Sequence, residues 1–166
     1  MSDRVIFVDA GVFLGMHHQD GELRQRSLAF FRALYLQPVW MNYEQVGICD
    51  AVIWRQPRAV QDLYYPFMDR LHSDMRLLRE GYRRRELELA LATPALAELR
   101  PEQAVLAAQI VERDAVLATH DPRLRGLPQL RGRLWDFATA DSSATFPPVL
   151  EALYVASCAF IHSTGE

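Results

Sequence analysis

The sequence predicts an α/β protein: a three-layer α/β/α sandwich around a mostly parallel sheet of about five strands. Three observations carry that prediction. The run Val5-Ile6-Phe7-Val8 is apolar on both faces, as strands inside parallel sheets are, and it stops at a single carboxylate, Asp9. A second such run, Ala115-Val116-Leu117-Ala118-Thr119, also stops beside a carboxylate, Asp121. Around and between them, extended and helical patterns alternate, the order that right-handed crossovers between parallel strands require.

Each element has its own local reason. After the first strand, residues 15–21 form a polar link with His17, His18 and Asp20, and a His-His pair in such a link is ordinarily solvated. Residues 22–36 place Leu23, Leu28, Phe31, Leu34 and Tyr35 at helical spacing, and Pro38 ends that helix. Residues 39–41 read as a second strand. Asn42 suits an N-cap, and Gln45 completes a capping-box pattern for a helix that carries Glu44 in its first turn and ends before Pro57. Residues 59–71 are helical but interrupted by Pro66. Residues 74–78 read as a third strand, with a helical reading in competition, and residues 83–91 as a helix. Pro94 and Pro101 stand where first helical residues are expected. Residues 101–112 are alanine-rich, with Ala104, Leu106 or Ala107, Ala108 and Val111 facing inward. Residues 115–119 are the fourth strand, residues 126–132 a turn-rich link, residues 133–137 a fifth strand, and residues 147–161 a final apolar helix before a polar tail. No internal repeat or low-complexity linker divides the chain. One domain over residues 1–141 is expected, with residues 142–166 a helical extension packed on it or on a partner.

Bulk properties narrow the function classes. A chain of 166 residues that is 50% hydrophobic can bury a real core. No apolar run approaches the roughly 18 residues that span a bilayer, and no secretory signal is apparent. The two cysteines form no CxxC pair, so a disulfide framework and structural zinc are not expected, and a reduced cytoplasm is the expected compartment. The net charge of −3 rules out a global basic field for nucleic acid. All 18 basic residues are arginine, a bias that base composition explains. The densest basic run, Arg83-Arg84-Arg85 with Arg76 and Arg79 nearby, is the candidate RNA-backbone contact, although such runs more often form a solvated helix face. The apolar last helix suits either core or an oligomer interface, and a homodimer is expected.

Four acids fall near strand ends or helix starts: Asp9, Glu44, Glu102 and Asp121. Ligands in open α/β sheets bind beyond the carboxyl ends of the strands. Several carboxylates gathered there would hold Mg²⁺ or Mn²⁺, since hard cations take oxygen ligands. Such ions can clamp a phosphodiester and activate water, whereas carboxylates alone would repel it.

Val5-Ile6-Phe7-Val8-Asp9, the helix-borne Glu44, and Leu117-Ala118-Thr119-His120-Asp121 together resemble the PIN domain pattern. That pattern has an apolar strand ending in Asp, a Glu on a helix, an Asp opening a helix with a small-residue run, and a strand ending T-x-D. Gln103-Ala104-Val105-Leu106-Ala107-Ala108 matches the third element, with Gln103 where Asp is expected. The order and spacing agree over residues 4–137. The resemblance implies a PIN-like fold and a Mg²⁺- or Mn²⁺-dependent endoribonuclease, often the toxin of a bacterial toxin–antitoxin pair with an antitoxin as partner. Carried over residue by residue, it makes Asp9, Glu44 and Asp121 catalytic metal ligands. Glu102 is an additional candidate, turned by about 100° from its neighbour Gln103 on a helix. Gln103, Thr119 and His120 would line the site.

An alternative keeps the fold and loses the metal. With an amide at position 103, the chain becomes an eroded PIN-like module that binds RNA or a protein partner as an accessory subunit. A third reading, an unrelated fold using Asp9 as nucleophile or phospho-acceptor, lacks a second Asp two residues on, where Gly11 stands. His17, His18 and His120 have no further ligand at zinc spacing.

Overall fold

The computed structural model describes residues 3–139 and 143–161. The expected domain boundary at residues 141–142 and the polar tail beyond residue 161 lie outside the described residues. In chain order the elements are β1 Ile6–Val8, α1 Ala10–Gly15, α2 Gly21–Ala33, β2 Val39–Asn42, α3 Tyr43–Trp54, α4 Arg58–Asp74, β3 Leu77–Glu80, α5 Arg84–Ala92, α6 Pro94–Ala97, α7 Pro101–Glu112, β4 Val116–Ala118, α8 Pro122–Arg125 and α9 Pro148–Ser157. The fold is α/β, with a parallel sheet ordered β3-β2-β1-β4 and flanked by helices.

The sheet among the described residues has four strands rather than five. Residues 133–137 contribute a single parallel bridge, Leu117 to Leu134, and then turn away. The backbone there bonds on both sides of Leu117 but does not extend the ladder, because a short 3-10 turn at Phe137–Thr139 follows at once. The third strand begins three residues later than the sequence suggests, at Leu77 rather than Asp74, since α4 continues through Asp74. Pro66 does not interrupt α4. Proline lacks the N–H for one ladder bond, but this helix buries Tyr64, Phe67 and Leu71, and tertiary packing offsets the local cost.

Strand residues alternate between two apolar clusters. Phe7 and Leu117 belong to one, together with Leu106, Ala107 and Ile110 of α7. Val8 and Ala118 belong to the other, with Phe13, Phe31, Tyr64 and Leu150. β1 and β4 therefore face apolar residues on both sides, which is why they show no alternation with polar residues.

α9 is part of the second cluster. Leu150 and Tyr154 are buried, the Tyr154 hydroxyl donates to the Met16 carbonyl at 2.7 Å, and Arg32 makes two 3.0 Å bonds to the Glu151 carboxylate. His17 and His18 are not solvated, contrary to the expectation for a polar link. His17 is fully buried, its ring 5.1 Å from Tyr64 and 5.3 Å from Tyr154, with Nε2 2.7 Å from Ser157 Oγ. The aromatic side chains that α4 and α9 deliver make this loop interior, and nothing local to His17 announces them.

Gly15 holds α1 close to α2. A Cβ placed there would lie 2.2 Å from Ser27 Oγ and 3.2 Å from Ser27 Cβ. Gly15→Ala is therefore expected to lower the unfolding free energy by about 1–3 kcal/mol, as overpacking does, read as a lower urea midpoint at unchanged slope.

Candidate active site at the carboxyl edge of the sheet

Parallel register brings β1 and β4 side by side, with Val8 opposite Ala118. The Asp9 amide donates to the Ala118 carbonyl at 3.2 Å, so the chain leaves both strands at the same edge. Asp9 is the N-cap of α1, and its Oδ1 accepts from Val12 N at 2.9 Å. Asp121 is the N-cap of α8, and its Oδ1 accepts from Arg123 N at 2.8 Å and Leu124 N at 3.1 Å. Thr119 ties the two together. Its side chain bonds the Asp9 carboxylate, and its Oγ1 accepts from Asp121 N at 3.1 Å. Both acids thus do the capping that short polar side chains do at helix starts, and the charge of Asp121 is felt at Asp9.

Burial dominates the electrostatics of Asp9. Its pKa is pushed up to about 6, first by desolvation and in part by the charge of Asp121, against the lowering effect of the Thr119 and Val12 hydrogen bonds. Asp9 is thus largely ionised at neutral pH and takes up a proton just below it.

Glu44 and Glu102 influence each other. Glu44 is exposed, and its pKa is raised by partial burial and by the charge of Glu102. Glu102 is also bridged by Arg100 at 3.1 Å. The phenol of Tyr82, next to them, is pushed up by burial and then by Glu44. The four acids therefore form two pairs, Asp9 with Asp121 and Glu44 with Glu102.

What α3 and α7 turn inward is the neighbouring amide. Gln45 is buried, and its Oε1 accepts from Ala10 N at 2.9 Å, the peptide directly after Asp9. Gln103 is 5% exposed, and its Nε2 donates to Asp121 Oδ2 at 2.7 Å. A single residue step turns a helical side chain by about 100°, so on both helices Glu and Gln cannot share a direction. Sequence reasoning missed Gln45 because it completes a capping-box pattern with Asn42. Only half of that box forms: Asn42 Oδ1 accepts from Gln45 N at 2.8 Å, while the Gln45 side chain reaches across to α1. Asn42 continues inward, donating to Gln109 Oε1 at 3.0 Å and Tyr82 Oη at 3.1 Å.

The remaining expected residues are also placed. His120 points away from Asp121, with Nε2 2.8 Å from Ser27 Oγ and its ring stacked 4.5 Å from Phe137. Burial, then Arg125 and Arg26, lower its pKa to about 4, so it is neutral at pH 7. Arg83, Arg84 and Arg85 are exposed. Arg83 is paired with Glu80 at 3.2 Å and Arg84 with Glu88 at 2.7 Å, which neutralises much of that run locally.

The comparison with known proteins decides the family. A family model described as a family of unknown function, DUF6190, matches residues 1–165. The chain belongs to the DUF6190 family. No curated protein matches it.

Whether this DUF6190 chain could hold the divalent ion that the PIN resemblance implies can be tested on its oxygens. Among the described residues, no group of three or more His, Cys, Asp or Glu side chains is arranged for a metal. A third oxygen is nevertheless present as an amide. Gln103 Oε1 is buried with no hydrogen-bond partner among the described residues, while its Nε2 is fixed on Asp121. Amide carbonyls are accepted ligands for hard cations. Two carboxylates and a neutral oxygen balance the charge of one divalent ion and leave nothing for a second. The residues fit a single ion.

Proposed function

We propose that the chain is a PIN-like, Mg²⁺- or Mn²⁺-dependent ribonuclease working with one ion, held by Asp9, Asp121 and the Gln103 carbonyl. The observation that carries this reading is the pair of carboxylates at adjoining parallel strand ends, with Thr119 bonded to the Asp9 carboxylate and to the Asp121 backbone amide and an orphaned oxygen on the Gln103 amide that holds Asp121. A three-layer α/β/α arrangement belongs to the same proposal, supported by the two apolar clusters that alternate strand residues feed.

When bound, such an ion supplies Lewis-acid stabilisation of phosphate charge and activates water. The chain's own residues do the rest. Thr119 bonds the Asp9 carboxylate and the backbone amide of Asp121, and Gln45 fixes the backbone immediately after Asp9. Asp9 is the proton-sensitive member: below about pH 6 it is neutral and a poor ligand, so activity is expected to fall on the acid side. His120 is neutral and committed to Ser27, so it takes the part of a wall rather than of an acid.

Calorimetric titration with Mn²⁺ at pH 7.5 is expected to show saturable binding that Asp9→Asn abolishes, and cleavage of single-stranded RNA should follow the same dependence. No saturable binding at millimolar Mn²⁺ would falsify the proposal. Cleavage that survives in Asp9→Asn would belong to a contaminant.

A second reading has its own observation. Both α3 and α7 turn an amide toward the site, which is what an eroded PIN-like module would look like. Such a module would bind RNA or a protein partner without cutting. Gln103→Glu separates the two, because ligand charge tunes divalent affinity. On the nuclease reading, this variant tightens Mn²⁺ binding by about tenfold. A wild type that binds no Mn²⁺ beside a Gln103→Glu variant that does leaves the eroded module standing.

A further inference from the structure

α1, α3, α4, β2 and β3 enclose a cavity of about 230 Å³ that shares no lining residue with the Asp9–Asp121 pair. Its inner wall is apolar: Phe13, Met41 and Cys49 are buried there, and Met68 is partly buried. Its mouth is charged, with Asp50 half-buried and Asp69 and Arg79 exposed. The three charges sense one another. Arg79 lowers the pKa of Asp50 and Asp69 raises it, although burial is the larger influence and leaves that carboxyl above its ordinary value.

These charges are not consumed within the fold. Among the described residues, the side chains of Asp50, Asp69 and Arg79 make no hydrogen bond and no ion pair within 4.0 Å. That contrasts with the arginines of α2, α4 and α5, where Arg26, Arg58, Arg70 and Arg84 each pair with an acid one turn away. His72, in the same lining, packs edge-on against Phe13 at 5.3 Å and is neutral at pH 7, its pKa lowered to about 4 by burial and Arg79. The mouth therefore offers two anionic acceptors and one guanidinium fork around an apolar interior too small for a nucleotide.

We infer that this cavity is a binding site for a small zwitterion with an apolar body, of the free L-α-amino acid class. Its ammonium is met by Asp50 with Asp69, its carboxylate by Arg79, and its side chain by Phe13, Met41 and Met68. A guanidinium takes a carboxylate bidentately, and an ammonium placed beside a half-buried carboxylate relieves the desolvation that raises its pKa. Neither an amine nor a carboxylic acid alone uses all three charges. The inference does not depend on any nuclease activity.

Three probes with the same isobutyl body separate the head groups: L-leucine, 3-methylbutylamine and 4-methylpentanoate. Titrated into the full chain at pH 7.5 and followed by two-dimensional amide NMR, L-leucine is expected to saturate. Its shifts should centre on residues around Asp50 and His72. The other two probes should bind at least tenfold more weakly, the factor set by one charge-assisted contact of about 1.4 kcal/mol. Asp50→Asn and Arg79→Gln should each weaken L-leucine about tenfold while leaving the remaining spectrum and the thermal midpoint in place. Arg79 is exposed, so its variant keeps the test valid if Asp50→Asn perturbs the fold. L-leucine failing to saturate by about 10 mM overturns the inference. So does an amine that binds as well as the zwitterion, or binding unaffected by Arg79→Gln.

Discussion

Asp9→Asn is expected to stabilise the protein at neutral pH by about 2–3 kcal/mol while removing divalent-ion binding. A carboxyl whose pKa is about 6 when folded and 3.8 when exposed binds its proton more tightly in the native state. Its contribution to stability is full below about pH 4 and is lost as pH rises through 6. Asparagine keeps the N-cap acceptor for Val12 and offers Thr119 a donor, so the hydrogen bonds survive without the buried charge. His72 and His120, both lowered to about 4, push the other way by favouring the neutral form on folding. The informative quantity is therefore the difference between variant and wild type in urea unfolding at successive pH values. That difference should be near zero at pH 4 and reach its plateau by pH 7. A flat difference would mean that Asp9 is not held above its ordinary pKa. A stability gain on losing a charge is what a site kept for ligand binding, rather than for folding, would show.

Arg113→Met is expected to cost about 3–5 kcal/mol, more than the overpacking at Gly15, because it strands a buried carboxylate. Glu86 is fully buried and receives the Arg113 Nε–H, while Arg113 Nη1 bonds Glu80 at 2.6 Å. The guanidinium also lies 5.5 Å over the Phe7 ring. Glu86 caps α5 through Arg83 N at 2.7 Å, and Glu80 ends β3. One cation thus fastens α7 to β3, α5 and the central strand. The position of α7 determines where Gln103 points, so this network supports the candidate site. Removing both members of the pair, Arg113→Met with Glu86→Met, should recover most of the loss, since a buried pair and its apolar replacement are close in free energy. Equal losses in the single and double variants would show that packing, not charge, is what Arg113 supplies.

Much of the fold could be read directly from the chain. The apolar runs ending at Asp9 and Asp121 are the adjoining parallel pair β1 and β4, because a strand covered on both faces needs no polar alternation. The proline starts of α6 and α7 fall where the sequence puts them, since proline's fixed φ and missing N–H suit that position whatever the surroundings. The fifth strand did not form and Pro66 did not break its helix, for a shared reason: both outcomes depend on neighbours remote in sequence. Residues 133–137 have the composition of a strand but leave the sheet after one bridge, and α4 is held together by the aromatic side chains it buries against α9 and His17.

At the candidate site the same division is sharper. By itself the sequence determined that two carboxylates stand at the ends of adjoining strands, because strand polarity and right-handed crossover leave them few other places. It could not determine which face of α3 and α7 looks at them. Glu44 and Gln45, like Glu102 and Gln103, are one residue apart, and a helix rotated by about 100° exchanges one for the other. That rotation is decided by what each helix buries: Cys49 and Ile53 on α3, and Ala107, Ile110 and the Arg113 network on α7. Local pattern is written in the order of residues, whereas the direction of a side chain at a helix start is fixed only when the whole helix has found the face it must bury.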